Sequence, residues 1–157
     1  MKHPFRIPGG ALALCAAILI PALAHAHGNV TPQSVDTRGL PVLGDKWRDE
    51  NPYRTNALAQ KIGASAYNQN CARCHGLEAV SGGIAPDLRQ LDRDCVGLKN
   101  AAKKTACFKE MDNYYLASVR QGKVRNGAVY MPPFEGVFNQ EAMWAIKTWL
   151  DTRRDTN

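Results

Sequence analysis

Cys71-Ala72-Arg73-Cys74-His75 constrains this chain more than any other five residues in it. Two thiols three positions apart, followed at once by an imidazole, have the C-x-x-C-H spacing of covalent haem attachment. The thiols reach two vinyl groups on one edge of a porphyrin, and the adjacent imidazole then falls under the iron. Three other readings of these residues are weaker. A zinc site wants two more ligands at matching spacing, and outside the leader the only other histidine is His27. A thioredoxin-like motif wants a βαβ setting, and a bare disulfide leaves His75 unexplained.

The first residues read as an export address. Lys2 and Arg6 precede a short apolar run broken by Pro21, and Ala24-His25-Ala26 is a small-x-small cleavage site. The run is short for a span of roughly 30 Å of hydrocarbon. Residues 1–26 are therefore expected to be removed, and the rest to be a periplasmic protein without stable membrane insertion. Lys plus Arg then falls from 20 to 18 against 14 acids, a charge of +4 with no concentrated basic tract, which argues against nucleic acid as a partner. An exported chain meets an oxidising compartment. Cys95 and Cys107, twelve residues apart in a Lys-rich segment, are accordingly expected to form a disulfide. Closing such a loop contributes about 3 kcal/mol on the chain-entropy estimate.

Residues 27–54 contain Gly28, Pro32, Gly39, Pro41 and Pro52, and read as part of an extended N-terminal arm (27–56) that packs on the rest of the chain. Asn56 is placed to cap a helix ending near Asn70. A loop spans 81–86, with a short helix from Asp87. Residues 99–107 are helix-compatible, and 112–121 form a better helix closed by Gly122. Residues 127–136 read as a Pro-rich loop. Asn139 caps the last helix, whose Ala142, Met143, Ile146, Trp149 and Leu150 fall at helical spacing. No strand pattern of useful length is visible. The expected architecture is all-α, a single haem domain over 57–154.

A second iron ligand has four candidates besides nitrogenous side chains: His27, Met111, Met131 and Met143. Met143 lies on the apolar face of the last helix, where packing is the simpler role. Met131 precedes Pro132 and Pro133, which forbid helix and stiffen an extended loop able to hold a weak thioether donor.

From about Ala57 to Leu150 the chain resembles the class I c-type cytochromes, in which an N-terminal helix, C-x-x-C-H, a proline loop, a methionine loop and a C-terminal helix follow in that order. Gly63 and Tyr67 resemble the glycine and aromatic of the family's first helix, and Ile146 and Trp149 their partners on the last. The resemblance implies a class I cytochrome c fold around one haem c bound covalently through Cys71 and Cys74. It implies His75 as the proximal ligand, held by the Pro86 carbonyl, with Met131 as the distal ligand and Tyr67 lining the site. The segment 95–107 is an insertion that minimal members lack. A closer resemblance, carried by the arm His27-Gly28-Asn29-Val30-Thr31-Pro32-Gln33, by 63–77 and by 127–136, is to the soluble cytochromes that accept electrons from PQQ-dependent ethanol dehydrogenases. Cytochrome cL, the acceptor for methanol dehydrogenase, is a more distant likeness.

These likenesses imply a periplasmic one-electron carrier, not an enzyme. Its donor would be a PQQ-dependent alcohol dehydrogenase and its acceptor a downstream cytochrome or terminal oxidase. Arg73, Lys123 and Arg125 would be rim charges. The alternatives are a general carrier to a terminal oxidase or reductase, and a catalytic or gas-sensing haem protein, which needs an open sixth iron position.

Overall fold

The computed structural model describes residues 31–155. The leader, its cleavage near Ala26, and His27 lie outside them. Among the described residues five helices run in chain order: α1 (Ala57–Asn70), α2 (Ala72–His75), α3 (Arg93–Val96), α4 (Ala101–Gln121) and α5 (Gln140–Asp151). Short 3-10 turns at Leu77–Ala79 and Leu88–Gln90 break the chain between α2 and α3.

Three of these helices begin on asparagine. The side chains of Asn56, Asn100 and Asn139 accept from the backbone N–H three residues on, at 2.9, 3.0 and 2.9 Å. Each such cap contributes about 1 kcal/mol.

The first and last helices form the frame. α1 is positioned across α5 by Gly63, where a Cβ would run into the Ala145 carbonyl. One turn on, the buried rings of Tyr67 and Trp149 meet with centroids 4.4 Å apart. Such a pair adds about 1 kcal/mol beyond the area it buries. Met143 is fully buried in the core, beside Ala142, Ile146 and Leu150.

Two expectations are corrected. Residues 99–107 and 112–121 are not separate helices. α4 is one helix of 21 residues, because Phe108–Met111 join the two stretches without a break, and Met111 sits within it. Nor is the chain free of strand. β1 (Lys123–Arg125) and β2 (Ala128–Met131) form an antiparallel hairpin turned by Asn126 and Gly127, both at positive φ (51° and 76°). Asn-Gly is the residue pair that a two-residue turn with both φ positive favours. The hairpin is short, and the fold remains mostly helical.

The arm, 31–56, lies against α5 and α4. Glu141 accepts from the Leu43 N–H at 2.7 Å, Gln140 from Arg48 at 3.2 Å, and Asp112 from Asn51 at 2.8 Å. Trp47 receives the Arg120 guanidinium on its ring at 4.1 Å.

Beneath the arm is an ionic cluster that hydrophobic periodicity did not foretell. Lys147 of α5 has no exposed surface, and its ammonium lies 3.2 Å from Asp92, 3.5 Å from Asp112, and in contact with Asp151. Arg154 bridges Asp92 and Asp151 at 2.7 and 2.8 Å, and Arg54 pairs with Asp112 and Asp151. Three acids face three bases, so the buried cluster is neutral. Burial works to push Asp92 up, but Arg154 and Lys147 outweigh it and hold the carboxyl below its usual range. For Asp112 burial wins, and the carboxyl is raised against the pull of Asn51, Lys147 and Arg54. Phe108 lies between Arg54 and Arg154, at 5.5 and 5.0 Å.

Candidate functional site

Cys71 ends α1 and opens α2, whose single turn carries Cys74 and His75. The backbone N–H groups of Cys74 and His75 both bond back to the Cys71 carbonyl, at 3.1 and 2.9 Å. Both thiols are therefore presented from one helical turn. They are unbridged, whereas Cys95 of α3 is joined to Cys107 of α4 across a Cα–Cα distance of 5.5 Å. Burial, with the neighbouring Cys74 adding to it, pushes the Cys71 thiol up to about 12.

His75 is oriented from outside its own helix. Its Nδ1 lies 2.9 Å from the Pro86 carbonyl oxygen. With the proton on Nδ1 donated to that oxygen, Nε2 keeps its lone pair and points elsewhere. Loop 81–86 is itself tied, since the Ser81 hydroxyl donates to the Ala85 carbonyl and accepts from the Gly83 N–H at 3.0 Å.

The turn after His75 is braced at three points. Gly76 has φ +80° and so close an approach to the Val80 carbonyl that a Cβ would collide with it. The Tyr67 hydroxyl donates to the Gly76 carbonyl at 2.8 Å. Glu78 and Ala79, at φ 56° and 63°, hold a left-handed turn that side chains disfavour. Arg153 secures it by pairing with Glu78 at 2.7 Å while lying 5.4 Å over Trp149. Of these residues Tyr67 and Trp149 were singled out from sequence. The signal for Gly76 was its place directly after the motif.

Met131 ends β2 opposite Lys123 of β1. Its side chain is half-buried against the same core cluster that Cys71 and Ala72 border, together with Leu88 and Leu91. Gly122 makes this possible. It closes α4 at φ +69°, and a Cβ there would clash with the Met131 carbonyl and with Pro132 and Pro133. Phe134, whose ring meets that of Phe138 at a tilt with centroids 4.9 Å apart, donates its N–H to the Val119 carbonyl at 3.0 Å, fixing the far end of the loop. Arg73, Lys123 and Arg125 are all exposed.

A family model described as cytochrome c oxidase, cbb3-type, subunit III matches residues 58–150. Cytochrome c550 of Pseudomonas aeruginosa is 50% identical over 145 residues, covering 90% of each chain. The chain belongs to the cytochrome c family. It is thus an electron-transfer protein with covalently bound haem c, and no enzyme. Cytochrome c6 of Euglena gracilis is 28% identical over 91 residues, covering 58% of this cytochrome and 88% of that one. The quinohemoprotein alcohol dehydrogenase ADH-IIG of Pseudomonas putida is 33% identical over 93 residues, which is 59% of this chain and 10% of the dehydrogenase. No solved structure matches significantly.

The residues present suit the cofactor. Two unbridged, half-buried thiols lie beside an imidazole whose Nδ1 is already engaged, against an apolar cluster that a thioether also borders. Among the described residues no helix is long and apolar enough to cross a membrane.

Proposed function

We propose that this cytochrome is a periplasmic carrier taking one electron at a time from a PQQ-dependent alcohol dehydrogenase and passing it to the respiratory chain. The haem supplies a one-electron iron couple. Cys71 and Cys74 would hold it by thioether bonds, and the His75 imidazole would ligate its iron. The Pro86 carbonyl fixes the imidazole plane and raises the basicity of Nε2. Met131, on a loop stiffened by Pro132 and Pro133, would supply the second iron ligand. A thioether is a poor donor to ferric iron and raises the potential relative to two imidazoles. The Tyr67 hydroxyl steadies the Gly76 backbone beside the proximal ligand.

With His75 and Met131 both held by the fold, little of the chain would rearrange when an electron moves. The two side chains together would leave no position for a substrate or gas, which would argue against a catalytic or sensing haem. Signal removal after Ala26 places the chain in the compartment where haem c is attached and where the Cys95–Cys107 disulfide persists.

The observation that carries the donor is the 33% likeness to a tenth of an alcohol dehydrogenase whose name joins a quinone to a haem. Its test is stopped-flow mixing with a purified PQQ-dependent ethanol dehydrogenase and ethanol. Rapid appearance of the ferrous spectrum is expected, and failure to reduce the ferric protein would refute this donor. A second reading, delivery to a terminal oxidase or reductase, is favoured by the oxidase-subunit description of the matching family model. A carrier must both receive and deliver, so the two readings are compatible.

A further inference from the structure

Among the described residues, the hairpin that ends on Met131 is the least buried ordered element. Every residue from Lys123 to Tyr130 is exposed, on both faces of the hairpin. Val124 and Val129 are directly paired across the strands yet remain 66% and 64% exposed, and Tyr130 beside them is 65% exposed. An isolated two-stranded hairpin is marginal in water, and a contiguous exposed apolar group on a soluble protein marks a contact site. This hairpin is held in place nevertheless. Its Asn126-Gly127 turn is the tight form, Gly122 packs its base against the 131–133 backbone, and Lys123 lies 4.9 Å over the Tyr114 ring.

The charge around it has one sign. From Asn113 to Phe134 there is no acidic residue, while Arg120, Lys123 and Arg125 all fall in that stretch. The first acid beyond it, Glu135, is taken up by Arg120 at 2.7 Å. The surface offered is an apolar pair with a basic rim, two residues along the chain from Met131.

We propose that this hairpin is the docking element for the electron donor, seated on an apolar patch with an acidic rim on the dehydrogenase. The inference rests on the donor assigned above. Apolar contact at the paired valines would set the lifetime of the encounter, and Arg125 would steer it. The Asn126-Gly127 turn keeps the pair preformed, so docking orders nothing new.

The test uses the full-length holoprotein and a purified PQQ-dependent ethanol dehydrogenase. Val124→Ser/Val129→Ser and, separately, Arg125→Glu at the hairpin tip are expected to slow reduction by the dehydrogenase about tenfold. The haem midpoint potential and the rate with ascorbate should not change. Arg125→Glu should also flatten the salt dependence of the rate, and Lys103→Glu, on the exposed side of α4, should behave as the native protein. Native rates in both hairpin variants overturn the docking site alone. Equal slowing by Lys103→Glu overturns it in favour of diffuse steering. A native protein that the dehydrogenase does not reduce overturns the donor, and this inference with it.

Discussion

His75 and Pro86, eleven residues apart, are joined by the 2.9 Å contact between Nδ1 and the proline carbonyl oxygen. That contact turns a motif readable in five residues into an oriented ligand. It depends on a loop that proline stiffens, with Ser81 tying the loop's two ends together.

Pro86→Ala keeps the carbonyl but frees the loop. Stability should fall by about 0.4–1 kcal/mol, through the larger conformational freedom of the unfolded chain. The haem potential should rise, because a loosened hydrogen bond leaves Nε2 a poorer donor to ferric iron. Denaturant titration and redox potentiometry on the same variant check both.

Met131→Ala should open the sixth position. The ferric spectrum should turn high-spin, the potential should drop, and the reduced protein should bind carbon monoxide at neutral pH. A low-spin, carbon-monoxide-resistant variant would move the distal ligand elsewhere, with Met111 and Met143 the next to be replaced.

Gly63→Ala tests the helix crossing. A methyl group there meets backbone, not a side chain that can move aside, so α1 and α5 must separate. Overpacking of this kind costs about 1–3 kcal/mol. Because Tyr67 and Trp149 share the same crossing, near-ultraviolet circular dichroism should change together with the denaturation midpoint.

What the sequence made legible follows the range of the forces involved. The C-x-x-C-H turn, the Asn56 and Asn139 caps and the apolar stripe of α5 are set by neighbours within a few residues, and they stand where periodicity and capping put them. Gly63 was readable only through resemblance, since its meaning lies in Ala145, more than eighty positions away. The hairpin was missed because strands of three and four residues carry no alternation, although Asn126-Gly127 was a turn signal in plain view. Lys147 was unreadable for a different reason. On α5 it looks like a solvated lysine, and only the fold gathers Asp92, Asp112 and Asp151 around it.

Lys147→Met therefore has an outsized expected effect. It leaves three buried carboxylates facing two partly exposed guanidinium groups. Removing one partner from a buried charge cluster costs about 3–5 kcal/mol. Thermal unfolding of the holoprotein checks it, and a melting temperature within a degree or two of native would mean that water reaches the cluster.

Stability should decline on the alkaline side. Burial, aided by the nearby Glu141 charge, pushes Tyr53 up to about 12. Burial also raises Tyr115 well above its ordinary value, while its hydroxyl donates to the Met143 carbonyl at 2.8 Å. A folded-state value above the unfolded one of about 10 means that the stabilisation is complete below pH 10 and is lost as pH rises through the folded values. Urea midpoints should be level from pH 8 to about 10 and fall beyond it, and the fall should be shallower in Tyr53→Phe.

Covalent haem attachment is tested most directly by the intact mass of the exported protein after denaturation and reduction. One haem should stay on the polypeptide under conditions that strip any non-covalent cofactor, and should be lost when Cys71 and Cys74 are both replaced by serine. A colourless polypeptide of bare mass, produced in cells that attach haem c to other chains, would contradict that attachment.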